Sequence, residues 1–180
     1  KLKLNFSEVM RLAKTKWNFI NFQPGLVGGH CLPVDPYYLS YIAKQNNFNS
    51  IVTLAGRKTN NSMENFIYQK VIQHLNSINK NPKNLKVLIM GLTYKYGVSD
   101  MRNSLNFKIY KKNKKNFKKT FCYDPFSTQS NFKEVNNLSN LSSFDCVVFL
   151  SKGAVFKKLY KKIKIKKPNI LVDPFYYFTN

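Results

Sequence analysis

The run Val87-Leu88-Ile89-Met90-Gly91 decides the fold, because four consecutive apolar residues after a turn at 81–84 are typical of a strand buried on both faces. Outward from this run, segments with strand and helix character alternate along the chain. Further strands are expected at 120–123, 145–150 and 170–172, with helices at about 104–112 and 154–162. This alternation predicts βαβ units with right-handed crossovers, and therefore an α/β fold with a parallel sheet and flanking helices.

The residues before this run have helical periodicity. Ser7 and the apolar residues that follow it predict a short helix over 7–16, and the stretch 37–43 predicts a second helix. A longer third helix is expected over roughly 51–77, where apolar residues recur every three to four positions. We therefore divide the chain into a helical domain at 1–80 and an α/β domain at 81–180.

The net charge of +22 first suggests a protein that binds nucleic acid or a membrane surface. However, the basic residues are overwhelmingly lysine, whereas proteins that read phosphates and bases favour the arginine guanidinium. Lysine doublets such as 111–112 and 161–162 are typical of solvated helix faces. A nucleic-acid-binding protein is therefore the less favoured alternative, and it predicts one basic face in the structure.

Hydropathy and cysteine usage restrict the class further. No stretch approaches the roughly 18 apolar residues of a membrane span, and the first residues lack the apolar core of a signal peptide, so a cytoplasmic location is expected. The three cysteines, at 31, 122 and 146, are odd in number and lack zinc-like spacing, which indicates neither a disulfide framework nor a metal site. Cys122 and Cys146 fall in expected strands, where a buried and inert thiol is the usual finding.

Cys31 lies in a different context, the sequence Gly28-Gly29-His30-Cys31-Leu32-Pro33-Val34-Asp35-Pro36-Tyr37-Tyr38. Two glycines precede the thiol and allow close approach of a ligand to the backbone, and two prolines stiffen the segment that carries the acid. A thiolate attacks carbonyl carbon well, so Cys31 is a candidate covalent nucleophile, with Asp35 assisting proton transfer directly or through a water. His30 has no evident carboxylate partner in the sequence, so we expect it to shape the loop.

A second candidate segment directly follows the strand at 87–90. This strand-to-helix connection contains Tyr94 and two cations, Lys95 and Arg102. Open α/β sheets bind ligands in such connections, and the cations make phosphates the expected ligands. The alternative is that Asp100 and Ser104 cap a helix while the two cations are solvated. Gly91 and Gly97 alone do not supply the G-x-G-x-x-G of a nicotinamide site. A weaker candidate for ligand or subunit contact is Arg57, near the start of the long helix.

These motifs resemble those of the UDP-glucose/GDP-mannose dehydrogenase family, and within it the UDP-N-acetylhexosamine (GlcNAc, GalNAc or ManNAc) 6-dehydrogenases. The thiol segment at 28–38 resembles the family signature, and Arg57–Met63 resembles the start of its central helix. Val87–Lys95 resembles the first strand and lysine of its Rossmann-like UDP-binding domain, and the match continues through 100–104 and 123–125. The resemblance covers nearly the whole chain.

The resemblance implies an NAD-dependent, four-electron oxidation of the C6 alcohol of a UDP-sugar to a carboxylate, for polysaccharide precursor synthesis. Cys31 would form a thiohemiacetal and then a thioester, and Asp35 matches the acid that handles water or protons. Gly28 and Gly29 would lie against the substrate, together with the candidates of the second segment, Tyr94, Lys95 and Arg102. The family's central helices form its dimer core, which implies a homodimer if the helix at 51–77 exposes an apolar stripe.

The chain also departs from the family pattern. The resemblance places it after the NAD-binding domain and after the helix that carries a catalytic Lys and Asn, so NAD is expected to bind mainly outside it and the chain alone is expected to be inactive. Residues 173–178, where the family places another basic residue for the nucleotide, contain no arginine. A non-catalytic module that binds a UDP-sugar is therefore a second alternative. The sugar epimer stays open.

Overall fold

In the computed structural model, which describes residues 4–128, 141, 143–166 and 170–178, helices occupy the first part of the chain. They are α1 (Phe6–Ala13), α2 (Asp35–Gln45) and α3 (Ile51–Ser77). The predicted bounds of α3 are confirmed at both ends. The first helix begins one residue earlier than predicted because Asn5, not Ser7, is its N-cap, and the Asn5 Oδ1 accepts a hydrogen bond from the Ser7 amide at 3.0 Å.

The second helix begins at Asp35 and not at Tyr37. Pro36 lies in its first turn, where proline is well tolerated because the amide hydrogen it lacks would have no partner inside the helix. A short 3₁₀ turn at Pro82–Asn84 then leads into the sheet. Among the described residues, no helix combines the length and the apolar character that a bilayer crossing requires.

The second part of the chain forms a parallel sheet flanked by helices, which confirms the predicted α/β class. Four described strands pair in the order β2-β1-β3-β4. The elements are β1 (Lys86–Met90), α4 (Leu105–Asn116), β2 (Lys119–Tyr123), β3 (Cys146–Phe149), α5 (Ala154–Lys166) and β4 (Ile170–Val172). Both helices run four residues beyond the predicted ends at 112 and 162, since the intervening lysines are good helix formers.

The side chains of β1 alternate between two layers, because successive residues of a strand point to opposite faces of the sheet. Both layers are apolar, because the strand is covered on both faces. Val87 and Ile89 lie in a core with Ile67, Val71 and Leu75 of α3 and with Ile109 of α4. Leu88 and Met90 face the opposite core, which α5 supplies with Phe156 and Ile163. The second half of α3 therefore packs on the sheet, and the predicted domain boundary at 80/81 stays a prediction.

The strand order places a topological switch between β1 and β3. From β1 the chain crosses through α4 to β2 on one side, whereas β3 continues through α5 to β4 on the other side. The connections therefore diverge at the carboxyl ends of β1 and β3, which leaves a crevice there. Cys122 and Cys146 are fully buried on the strands that flank β1, as predicted, and burial raises the pKa of the Cys146 thiol to about 12.

Candidate functional site

The thiol loop, residues 28–35, packs directly on the connection between β1 and α4 (residues 91–104). A Cβ added to Gly28 would lie 2.8 Å from the Tyr94 Cβ, and one added to Gly29 would lie 2.9 Å from the Tyr94 ring. Gly29 also has φ +95°, which other residues rarely adopt, and its amide donates to the Arg102 carbonyl at 2.9 Å. The two glycines are thus required by the close approach of two chain segments that are far apart in sequence.

Two asparagines fasten the thiol loop to the rest of the molecule. The Asn103 side chain donates to the Gly29 carbonyl at 3.0 Å. On the other side, Asn60 of α3 clamps the backbone of Val27, accepting from its amide at 3.0 Å and donating to its carbonyl at 2.9 Å. The loop is therefore held between α3 and the β1–α4 connection.

Cys31 is exposed, and Asp35 lies one turn further along the chain. The Cys31 carbonyl accepts from the amides of Val34 at 2.9 Å and Asp35 at 2.8 Å, so the thiol loop turns directly into α2. Cys31 and Asp35 line one groove of about 470 Å³, with Leu32, Pro36, Leu39 and Thr53. Thiol and carboxylate can therefore contact the same small group, and no hydrogen bond joins their side chains in the described part of the chain.

Asp100 organises the residues beside the thiol. Its carboxylate accepts from the Arg102 Nε at 2.9 Å and Nη2 at 2.7 Å, and these hydrogen bonds hold the pKa of Asp100 below its usual range. The His30 Nδ1 lies 3.8 Å from the same carboxylate, which corrects the expectation that His30 has no acidic partner. Arg102 is exposed as the alternative interpretation held, but it is paired with Asp100, and the hydrogen bond to the Asp100 carboxylate raises the pKa of Arg102.

Lys95 lies in a different cavity from the thiol, at the carboxyl ends of β1 and β3. This cavity, the Lys95 pocket, has a volume of about 740 Å³. Aromatic rings of Tyr94 and Tyr177 line it, and three lysines supply positive charge, namely Lys95, Lys152 and Lys157. Burial raises the pKa of Tyr177 to about 12, so its hydroxyl stays protonated at neutral pH. The pocket can accept a flat ring and an anionic group together.

A buried carboxylate fixes the floor of this crevice. Asp124 follows β2 and is fully buried, and its Oδ2 accepts from the Leu92 amide at 2.7 Å and from the Thr93 amide at 2.9 Å. Ser104 caps α4, as the alternative interpretation held, accepting from the Phe107 amide at 3.2 Å while its hydroxyl donates to the Leu92 carbonyl at 2.5 Å. These bonds hold the start and the end of the β1–α4 connection in place.

The structure brings together only part of the predicted set. Gly28, Gly29 and Tyr94 touch, while Cys31 shares a groove with Asp35. Arg57 is buried behind the thiol loop and lines neither the groove nor the Lys95 pocket.

Sequence reasoning missed Lys152, Lys157 and Tyr177 in the Lys95 pocket. The only signal that could have found them is that the first two lie around the start of a helix after a buried strand, at the edge where parallel sheets bind ligands.

Comparison with known proteins gives the family. Residues 1–62 match the UDP-glucose/GDP-mannose dehydrogenase family, central domain, and residues 88–180 match the UDP binding domain of the same family. Protein CapL of Staphylococcus aureus is 43% identical over 104 residues, which are 58% of this chain and 24% of CapL. UDP-N-acetyl-D-glucosamine 6-dehydrogenase of Salmonella typhi is 36% identical over 126 residues, which are 70% of this chain and 30% of that enzyme.

A solved structure agrees with this assignment. UDP-D-ManNAc dehydrogenase from Pyrococcus horikoshii superposes with a TM-score of 0.71 at 28% sequence identity, covering 88% of this chain and 38% of the other. The chain thus spans well under half the length of the relatives that it matches. On the family match over both of its parts, the chain belongs to the UDP-glucose/GDP-mannose dehydrogenase family.

Proposed function

We propose that this chain is the substrate-binding and covalent-chemistry part of an NAD-dependent UDP-N-acetylhexosamine 6-dehydrogenase that serves polysaccharide precursor synthesis in the cytoplasm. One observation carries the proposal: the loop with the exposed Cys31 packs through Gly28 and Gly29 on the same β1–α4 connection that carries Lys95. A nucleotide bound at Lys95 would therefore lie on the same chain segment against which the thiol loop packs. The names of the Salmonella and Pyrococcus relatives support the same substrate class.

The Lys95 pocket is the proposed site of the UDP group. Its ammonium groups suit a diphosphate, and Tyr94 and Tyr177 offer aromatic surface to a pyrimidine. Arg102 belongs to the proposed site as a positioning residue. Its guanidinium is bonded to Asp100, and its carbonyl accepts a hydrogen bond from the Gly29 amide of the thiol loop. A direct substrate contact by Arg57 stays a prediction.

The proposed chemistry of Cys31 is acyl transfer to water. The thiolate sulfur attacks the C6 carbonyl carbon of the aldehyde, an S–C bond forms, and the carbonyl electron pair moves to oxygen, which takes a proton. After the group on sulfur has been oxidised to a thioester, water attacks it, the C–S bond breaks, and carboxylate and thiol are released. Asp35, in the same groove, accepts the proton of that water.

Both oxidations need a hydride acceptor, for which NAD is the expected group. The connection after β1 does not fit a dinucleotide, because it holds Gly91 and Gly97 without the G-x-G-x-x-G of such a site. We therefore assign hydride transfer to parts of the intact enzyme beyond these 180 residues. The chain incubated alone with NAD⁺ and UDP-N-acetylglucosamine should form no NADH.

Calorimetric titration with UDP tests the proposed nucleotide site. We expect Lys95→Ala to weaken UDP binding roughly tenfold or more, because a charge-assisted hydrogen bond to phosphate is lost. The matched control is Lys158→Ala, which removes an exposed lysine of α5 that does not line the pocket. UDP that does not bind, or that loses the same affinity in both variants, would contradict the assignment.

Alkylation of Cys31 separates the enzyme from the non-catalytic module. We expect saturating UDP-N-acetylglucosamine to slow iodoacetamide labelling of Cys31, because the sugar would extend from the Lys95 pocket toward the groove that Cys31 and Asp35 line. UDP without the sugar should protect much less. Labelling that is equally fast with and without the UDP-sugar, despite tight binding, would favour the non-catalytic module.

The proposal includes a homodimer formed through the central helices. The exposed faces of α2 and α3 carry large apolar side chains, including Leu39, Ile51 and Val52, the last of which is 87% exposed. Apolar side chains gathered in this way are typical of a surface that a partner covers. Light scattering should give twice the chain mass, and Val52→Glu should shift it toward the monomer; a monomeric wild-type protein at high concentration would refute this part.

A further inference from the structure

A small cavity lies behind the thiol loop, where the loop meets α3 and α4. This Arg57 cavity has a volume of about 150 Å³, well above the ~15 Å³ that one water requires. Pro33 and Val34 form its loop wall, Arg57 its α3 wall and Lys108 its α4 wall. It shares no lining residue with the Lys95 pocket.

Arg57 is a buried cation without a counter-charge. Its side chain belongs to a residue that is 9% exposed, its Nη2 donates to the Asn61 Oδ1 at 3.2 Å, and its buried Nε has no hydrogen-bond partner. Within residues 4–128, 141, 143–166 and 170–178, no carboxylate forms an ion pair with it. The one acid of α3, Glu64, does not line the cavity. A buried charge left unpaired is strongly unfavourable, so an anion would be stabilised here.

The second cation of the cavity is free to join such an anion. Lys108 is exposed and makes no ion pair among the described residues, and the lining contains no carboxylate that would repel an anion. The two amide side chains at the cavity are already engaged, since Asn61 donates to the Tyr37 hydroxyl at 3.2 Å and Asn103 to Gly29. Positive charge, not amide hydrogen bonding, is therefore what the cavity offers a ligand.

We propose that the Arg57 cavity binds a small oxyanion of the phosphate type between Arg57 and Lys108, at a site separate from the UDP group of the proposed function. Planar guanidinium and ammonium donors form strong charge-assisted hydrogen bonds with such oxygens. The bound anion joins α3, α4 and the segment that directly follows Cys31. Inorganic phosphate therefore also stabilises the folded chain against unfolding.

Nuclear magnetic resonance tests this proposal directly, because the sequence has only three arginines, Arg11, Arg57 and Arg102. Each gives one Nε–Hε signal, and the loss of one signal in Arg57→Gln assigns the signal of interest. Titration of the 180-residue protein with inorganic phosphate, against chloride at equal ionic strength, should shift the Arg57 signal to saturation. An Arg57 signal that does not move, or that moves equally with chloride, overturns the proposal.

Lysine variants of α4 supply the matched comparison. Lys108→Gln should weaken the phosphate response of Arg57 roughly tenfold. The Lys111 Nζ lies 4.4 Å from the Phe107 ring centroid, and Lys111 does not line the cavity. Lys111→Gln should therefore leave the phosphate response of Arg57 unchanged. Equal weakening by both variants would mean general charge screening and would overturn the site. Lys95→Ala should leave the response intact, so that failure of UDP binding and failure of this site are distinguishable.

Discussion

Replacement of Gly28 by alanine is the sharpest test of how the thiol loop is seated. The added Cβ would lie 2.8 Å from the Tyr94 Cβ and 2.9 Å from the Asn103 carbonyl oxygen, and both distances are shorter than real Cβ contacts allow. Neither neighbour is the far end of a flexible side chain, so the backbone of the loop or of the β1–α4 connection has to move. Overpacking of this kind costs about 1–3 kcal/mol.

Urea unfolding followed by circular dichroism measures this change in the free energy of unfolding. Gly56→Ala is the matched control, because its new Cβ meets nothing within 4 Å and the residue lies inside α3, where alanine should stabilise by about 0.5–1 kcal/mol. The two substitutions therefore add the same methyl group with opposite expected signs. A Gly28→Ala protein that is as stable as the wild type, and that binds UDP equally well, would refute the close packing of loop and connection.

Three further outcomes follow from the buried groups. Asp124→Asn should lower the free energy of unfolding by about 3 kcal/mol in urea, because a buried acceptor of several hydrogen bonds loses its charge; an unchanged midpoint would contradict this role. Because burial raises the pKa of the Cys146 thiol in the folded chain, the neutral thiol contributes fully to the free energy of unfolding below pH 9. This contribution is lost as the pH rises toward 12. The free energy of unfolding of the wild type should therefore fall by roughly 1 kcal/mol relative to that of Cys146→Ala by pH 10, and parallel pH profiles would refute this. Mass spectrometry after brief iodoacetamide treatment should show one modified cysteine, Cys31, in the native protein, and modification of Cys122 without denaturant would be inconsistent with its burial.

Much of the fold could be predicted because its signals are local. The run at 87–90 is apolar at every position, and this pattern follows directly from burial on both faces. The long periodic stretch gave both ends of α3. Helix ends elsewhere depend on single capping and first-turn contacts, and for this reason the starts of α1 and α2 differed from the prediction by one or two residues.

The candidate site was predictable only where its parts are close in sequence. Cys31 and Asp35 are one helical turn apart, so a shared groove could be expected from the sequence alone. In contrast, the contacts of His30 with Asp100 and of Gly28 with Tyr94 join segments about seventy positions apart, and no local pattern encodes them. The isolation of Arg57 behind the loop likewise results from tertiary packing.

The central claim is that Cys31 bonds covalently to the C6 carbon of a UDP-sugar held at Lys95. Carbon-13 NMR of the protein incubated with a UDP-N-acetylhexosamine 6-aldehyde labelled at C6 tests it most directly, because addition of the thiol converts the aldehyde carbon to a thiohemiacetal carbon with a separate signal. We predict one adduct per chain, located at Cys31, absent from Cys31→Ser and strongly reduced in Lys95→Ala. An adduct that persists in Cys31→Ser, or no adduct at saturating aldehyde, would contradict the claim.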